Sequence, residues 1–247
     1  MIRGAFFDVG ETLYGYGNMR PAMAMLLQEL AVRLELGDDL PALARDYQHA
    51  NQEIDRLFAE QPFYLFHDYF ESIFTAFVNR IEKPHLRHHF GWFGRHQHER
   101  LLGSLMLKPD CHEVLGRLKS MGLYHSAVSN SYENQLTPLV ERAQLHRWLT
   151  HWTSSEAARS CKPDRRIFEL ALEKSGLAVD EVLFVGDSPE QDIQGAHAVG
   201  MATVLITETA APAPMHIGRK TPDPDFRIES LGELPAIVRT LRGNTES

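Results

Sequence analysis

Short apolar runs that stop at a polar or glycine-containing turn recur along this chain. Residues 2–7 form one such run and end at Asp8 and a turn holding Gly10, the pattern of a short buried strand. From about residue 20 the texture changes: 21–27 and 68–74 keep helical spacing, with almost no β-branched alternation up to residue 102. The strand–helix pattern resumes near Pro109. Helices are predicted over 111–119, 133–142, 165–175 and 192–199, and strands over 123–128, 148–153, 182–185 and 202–206. A Pro-rich surface loop over 210–225, a strand at 226–228 and a final helix complete the pattern. Strands alternating with helices in this way imply a parallel sheet with helices on both faces. The fold class expected is therefore α/β, a Rossmann-like core over 1–16 and 103–247, with an all-helical insert over 17–102.

In parallel sheets ligands bind beyond the carboxyl ends of the strands. Asp8, Ser129 and Asp187 each follow a predicted strand, so all three are expected at one edge. A carboxylate held in the turn after a strand is able to attack phosphorus or carbon; a lone aspartate there is also an ordinary turn cap. Thr12 opens the next segment. The Ser129 hydroxyl and the backbone N–H groups near Asn130 suit an anion oxygen. Lys162 stands just before Pro163, which is expected to open the next helix, and a lysine there would place positive charge beside a transferring group. Asp187 and Asp192 put two acids on one turn, which suits Mg²⁺ or, more simply, a helix N-terminus. Asp192 has a further reading as a supporting group that holds Lys162 or the turn.

Charge and cysteine content narrow the class. A formal charge of -8 argues against nucleic-acid binding as the main activity, while leaving room for a small anionic substrate. Two cysteines, Cys111 and Cys161, are too few for a disulfide framework or a zinc cluster, which suggests a cytoplasmic setting. No run reaches the roughly 18 apolar residues of a membrane span, so no membrane partner is expected. The histidines at 85, 88, 89, 96 and 98 crowd the end of the insert and read as a partly solvated surface rather than a metal patch. Tyr14, Tyr16 and Asn18 lie where the chain enters the insert, as packing or as part of a substrate mouth.

As a set, Asp8 to Leu13, Ser129-Asn130, Lys162-Pro163 and Gly186-Asp187-Ser188 through Asp192 to Gly200 resemble the haloacid dehalogenase superfamily of hydrolases, with a helical cap inserted after the first core strand. The resemblance implies Asp8, Thr12 and Lys162 as catalytic residues, with Asp8 the nucleophile. It implies Ser129, Asn130 and Lys162 around a phosphoryl group, and Mg²⁺ held by Asp8, the Gly10 carbonyl and Asp187, with Asp192 in support. A cap in this family closes over the site and selects the substrate. The activity implied is Mg²⁺-dependent hydrolysis of a small phosphorylated metabolite through an aspartyl-phosphate. The departure is Gly10, where the family's phosphatases usually carry a general acid/base aspartate; Glu11 stands next to it. Two other functions fit the same residues: metal-independent hydrolysis of 2-haloacids, and a non-catalytic phosphate-ligand binder on the same scaffold.

Overall fold

A computed structural model describes residues 1–17, 19–207 and 217–243. Asn18 and much of the expected 210–225 loop therefore lie outside the described residues. In chain order the elements are β1 (Gly4–Phe7), β2 (Tyr14–Gly15), α1 (Met19–Arg33), α2 (Leu40–Phe58), α3 (Phe66–Arg80), α4 (Phe90–Ser104), β3 (Met106–Leu107), α5 (Cys111–Ser120), β4 (Tyr124–Ser129), α6 (Glu133–Arg142), β5 (His151–Ser154), α7 (Ser155–Ala158), α8 (Arg165–Ser175), β6 (Val182–Gly186), α9 (Gln194–Val199), β7 (Ala202–Ile206), β8 (Phe226–Ile228) and α10 (Leu234–Gly243). The chain divides into two compact units, Met1–Gly15 with Leu107–Ser247, and Tyr16–Met106.

The first unit carries a six-stranded sheet in the order β5-β4-β1-β6-β7-β8, every pair parallel. This is the α/β, Rossmann-like architecture expected from the alternating pattern. Both central strands are wholly buried, as strands covered on both faces must be, and so they read as unbroken apolar runs. One core cluster packs Phe6, Val128 and Phe184 from the sheet against Ile167, Phe168 and Ala171 of α8 and Ala196 of α9. The Phe168 and Phe184 rings meet edge to face at 5.1 Å. Gly195 lets α9 approach closely, because a Cβ there would fall 2.4 Å from Phe168 Cε2 and 3.0 Å from the Pro163 backbone.

Some local expectations shift. The strand predicted over 148–153 begins only at His151, because 145–147 turn as a short 3₁₀ segment. Trp148 instead lies over Gly116 of α5, its indole N–H donating to His112 Nδ1 at 2.8 Å. Pro163 does not open α8: the helix starts at Arg165, capped by the Asp164 carboxylate, which accepts from Arg166 N at 3.0 Å. Tyr14 is core packing, 1% exposed, its hydroxyl donating to Leu139 O at 2.6 Å.

The second unit is helical, as expected for the insert. Its interior is aromatic: Phe74 and Phe93 lie 4.9 Å apart, and Tyr47 contacts both Phe77 and Phe93. Two buried hydrogen bonds cross it, with Gln97 Nε2 donating to the Tyr47 hydroxyl and the Tyr69 hydroxyl donating to Asp55 at 2.6 Å. Among the described residues no helix is long and apolar enough to cross a membrane.

His125 sits inside β4, 1% exposed and edge-on to Phe7. Burial, reinforced by the Lys119 charge, pushes its imidazole down to about 4. The unfolded chain therefore binds a proton that the folded chain refuses between about pH 6.5 and pH 4, so stability falls as pH drops through that window. Urea denaturation at pH 7 and pH 4.5 should show His125→Phe losing about 2 to 3 kcal/mol less than the parent over this interval. Equal losses in the two proteins would exclude the effect.

Candidate active site

The carboxyl edge of the sheet gathers four segments distant in sequence. Asp8 follows β1 directly, its N–H donating to Val185 O of β6 at 2.9 Å. Asp187 follows β6, and Ser129 is the last residue of β4, paired in register with Ser154 of β5. Strand register puts Asp8 level with Gly186, so the first two acids lie one step apart along adjacent strands.

Lys162 joins them. Its Nζ donates to Asp8 Oδ1 at 2.5 Å and to Asp192 Oδ1 at 2.6 Å, and the lysine side chain is 2% exposed. Burial alone would lower the ammonium, but the Asp192 and Asp8 charges outweigh it and hold Lys162 protonated well above the usual lysine range. The other Asp192 oxygen accepts from Ser188 N at 3.0 Å. Asp192 lies in a π-helical turn, Pro189–Ile193, rather than in the helix predicted from 192. Ser188 caps that turn by accepting from Gln191 N at 3.1 Å. Gly186 is required beneath it, since a Cβ would lie 2.3 Å from Asp192 Oδ2.

Asp8, Asp187 and Asp192 offer carboxylate oxygens that all lie within 4.8 Å of one another. Three acids therefore converge where one lysine stands, with Asp8 and Asp192 buried and Asp187 half-buried. Burial is the main cause that lifts Asp8 to about 6; Lys162 pulls it back and Asp192 pushes it further up. Asp187 is raised well above the carboxylate range, by burial first and then by the Asp192 and Asp8 charges. Acids held apart from sufficient positive charge behave in this way, and a divalent cation would reverse both shifts. The donor set fits such an ion: hard carboxylate oxygens suit Mg²⁺, and Asp8 and Asp187 keep oxygens that Lys162 does not use. Asp192, with both oxygens engaged, supports the lysine and the turn.

The remaining expected residues divide. Thr12 is fully buried and its hydroxyl has no hydrogen-bond partner. The Ser129 side chain is mostly buried at the same edge. Asn130 is differently engaged: its Oδ1 accepts from Lys162 N at 2.7 Å, and its Nδ2 donates to Lys162 O and to Gln191 Oε1, each at 3.3 Å. Gly10 forms a bridge with Tyr14, and Glu11 is buried with a positive φ of 51°. Among the described residues, the histidines at 85, 88, 89, 96 and 98 form no converging ligand group; the three aspartates do. Sequence reading missed Glu190, a buried carboxylate accepting from the backbone N–H groups of Ile217, Gly218 and Arg219. A glutamate amid short polar turns gives no pattern that would have marked it.

The family of haloacid dehalogenase-like hydrolases matches residues 2–200 of this chain. The chain belongs to that family. It is accordingly a hydrolase. It is 28% identical over 250 residues to a ribulose-1,5-bisphosphate 5-phosphatase of Halopiger xanaduensis, covering 96% of this chain and 100% of that protein. It is 30% identical over 144 residues to an (S)-2-haloacid dehalogenase 4A of Burkholderia cepacia, covering 56% of this chain and 58% of that protein. Among solved structures, the magnesium-bound HAD-hydrolase YfnB of Bacillus subtilis shares the fold at TM-score 0.75 and 18% identity, over 96% of this chain and 99% of that one.

The close approach at Gly186 gives a direct test of the site's packing. Gly186→Ala should cost about 1–3 kcal/mol in thermal or chemical unfolding, because Asp192 must move away from the added methyl. An alanine variant as stable as the parent would show that Asp192 is not held against β6.

Proposed function

We propose that this chain is a Mg²⁺-dependent phosphatase of a small phosphorylated metabolite, acting through an aspartyl-phosphate on Asp8. One observation carries the reading: three converging carboxylates, two of them buried, with a single lysine among them. A carbon–halogen hydrolase has no use for the third acid, whereas a metal-assisted phosphoryl transfer does. Phosphatase-named relatives support the same choice.

In this reading the Asp8 carboxylate attacks phosphorus, the ester oxygen departs with the bonding pair, and water then cleaves the acyl-phosphate to return Asp8 and phosphate. Mg²⁺ held by Asp8, the Gly10 carbonyl and Asp187 would neutralise charge on the phosphoryl oxygens and bring the anionic nucleophile and substrate together. Lys162 holds Asp8 ionised and adds positive charge where it develops. Ser129 offers a hydroxyl to a phosphoryl oxygen, and Thr12 completes the turn that presents Asp8. Asp192 keeps Lys162 in place. Gly10 carries no side chain to protonate the leaving group, so esters with acidic leaving groups are the better substrates.

The second reading, hydrolysis of a 2-haloacid by the same Asp8 carboxylate at carbon, is favoured by the dehalogenase relative. One assay separates the two. Purified protein should release phosphate from an activated aryl phosphate with Mg²⁺, and both chelation and Asp8→Asn should abolish it. Chloride release from (S)-2-chloropropionate in the presence of chelator, without phosphate release, would select the dehalogenase instead.

Position 10 gives a further expectation. Gly10→Asp should raise turnover of alkyl phosphates by about 10²–10⁴-fold while aryl phosphates with acidic leaving groups gain much less. A uniform response across leaving groups, measured as kcat/KM over a graded ester series, would mean that another group already supplies the proton.

A further inference from the structure

Lys162 has a long side chain with four rotatable bonds, yet its Nζ must meet two carboxylates at once. Its backbone is fixed by one neighbour. The Asn130 amide brackets the residue: Oδ1 accepts from Lys162 N at 2.7 Å while Nδ2 donates to Lys162 O at 3.3 Å. The same Nδ2 donates to Gln191 Oε1, next to Asp192 in sequence. A single planar amide thus ties the end of β4 to the lysine segment and to the turn carrying the lysine's second carboxylate. Donor and acceptor are both needed. An aspartate would keep the bond from Lys162 N but set an oxygen against Lys162 O and Gln191 Oε1.

We infer that Asn130 is a positioning residue that acts through Lys162, clamping that residue's backbone so that its ammonium bridges Asp8 and Asp192. Its amide groups face protein partners rather than an anion. This rests on the proposed reading of Lys162 as the cation serving Asp8 during phosphoryl transfer. Releasing the clamp lets the lysine segment drift and weakens charge stabilisation in the transition state, with ground-state binding left largely intact.

The test compares the parent with Asn130→Ala, Asn130→Asp, Lys162→Met and the Asn130→Ala/Lys162→Met double variant. Mg²⁺-dependent aryl phosphate hydrolysis is measured alongside hydrogen exchange at the Lys162 amide. Asn130→Ala should lower kcat about 10- to 100-fold, leave KM within about threefold, and expose the Lys162 amide to exchange. Asn130→Asp should also lower kcat but keep that amide protected, because its acceptor oxygen remains. The double variant should be no slower than Lys162→Met alone, since the clamp has nothing left to position. Three results would overturn the inference: unchanged kcat in Asn130→Ala, a rise in KM with kcat intact, or additive losses in the double variant. If the parent turns over no phosphate ester, the phosphatase reading fails by itself. Exchange then decides the clamp, a Lys162 amide as protected in Asn130→Ala as in the parent overturning it and an exposed one supporting it.

Discussion

The buried ammonium of Lys162, shared between Asp8 and Asp192, is the interaction on which the site depends. Taking a lysine and two carboxylates out of water costs several kcal/mol per ion, which only close geometry and further hydrogen bonds offset. Both are present. Nζ lies within hydrogen-bond distance of each partner, and Asp192 completes its second oxygen with Ser188 N. Removing the lysine would leave three acids facing one another, Asp8 and Asp192 of them buried. The pair also joins segments more than 150 residues apart, so the cluster exists only once the sheet has formed. Stability of the fold and charge of the site are thus one constraint seen from two sides.

That constraint explains features that would otherwise look incidental. Gly186 lacks a side chain because the Asp192 carboxylate occupies the space a Cβ would need. Gly195 lacks one because α9 must press against Phe168 and the Pro163 backbone, which brings the lysine segment down onto the sheet edge. The π-helical turn at Pro189–Ile193 widens the backbone by one residue and delivers Asp192 to the lysine, and such single-turn widenings are frequent at functional sites. Glu190 in the same turn accepts from the N–H groups of Ile217, Gly218 and Arg219. Asp8 and Asp187 are both displaced upward, by burial first; the Asp192 charge pushes both further and Lys162 pulls both part of the way back.

Much of this was legible in the sequence, for physical reasons that differ by element. The apolar runs before Asp8 and Asp187 declared the central strands, because strands buried on both faces carry almost no polar residue. Helices 133–142 and 165–175 emerged with the expected bounds, their caps and periodicity being local. Local pattern failed where tertiary packing decided. Trp148 looks like a strand residue and instead covers Gly116. Pro163 looks like a helix opener, yet the Asp164 carboxylate caps α8. The meeting of Asp8, Ser129 and Asp187 at one edge followed from strand-end placement, whereas the use of the Asn130 amide on Lys162 could not, since nothing local distinguishes a bond to an anion from one to a backbone 32 residues away.

Gly10 acquires its meaning from the same lysine. A phosphatase lacking an acid at that position might be thought to borrow a proton from the nearest ammonium. Lys162 is unsuited: two carboxylates hold its proton, and giving it up would strand Asp8 and Asp192 as neighbouring anions in a buried pocket. Its tight pairing makes it a good electrostatic partner and a poor acid. In the proposed phosphatase reading the leaving group would then have to depart as a stable anion or carry its own proton, so chemistry at Asp8 would discriminate among esters by leaving-group acidity.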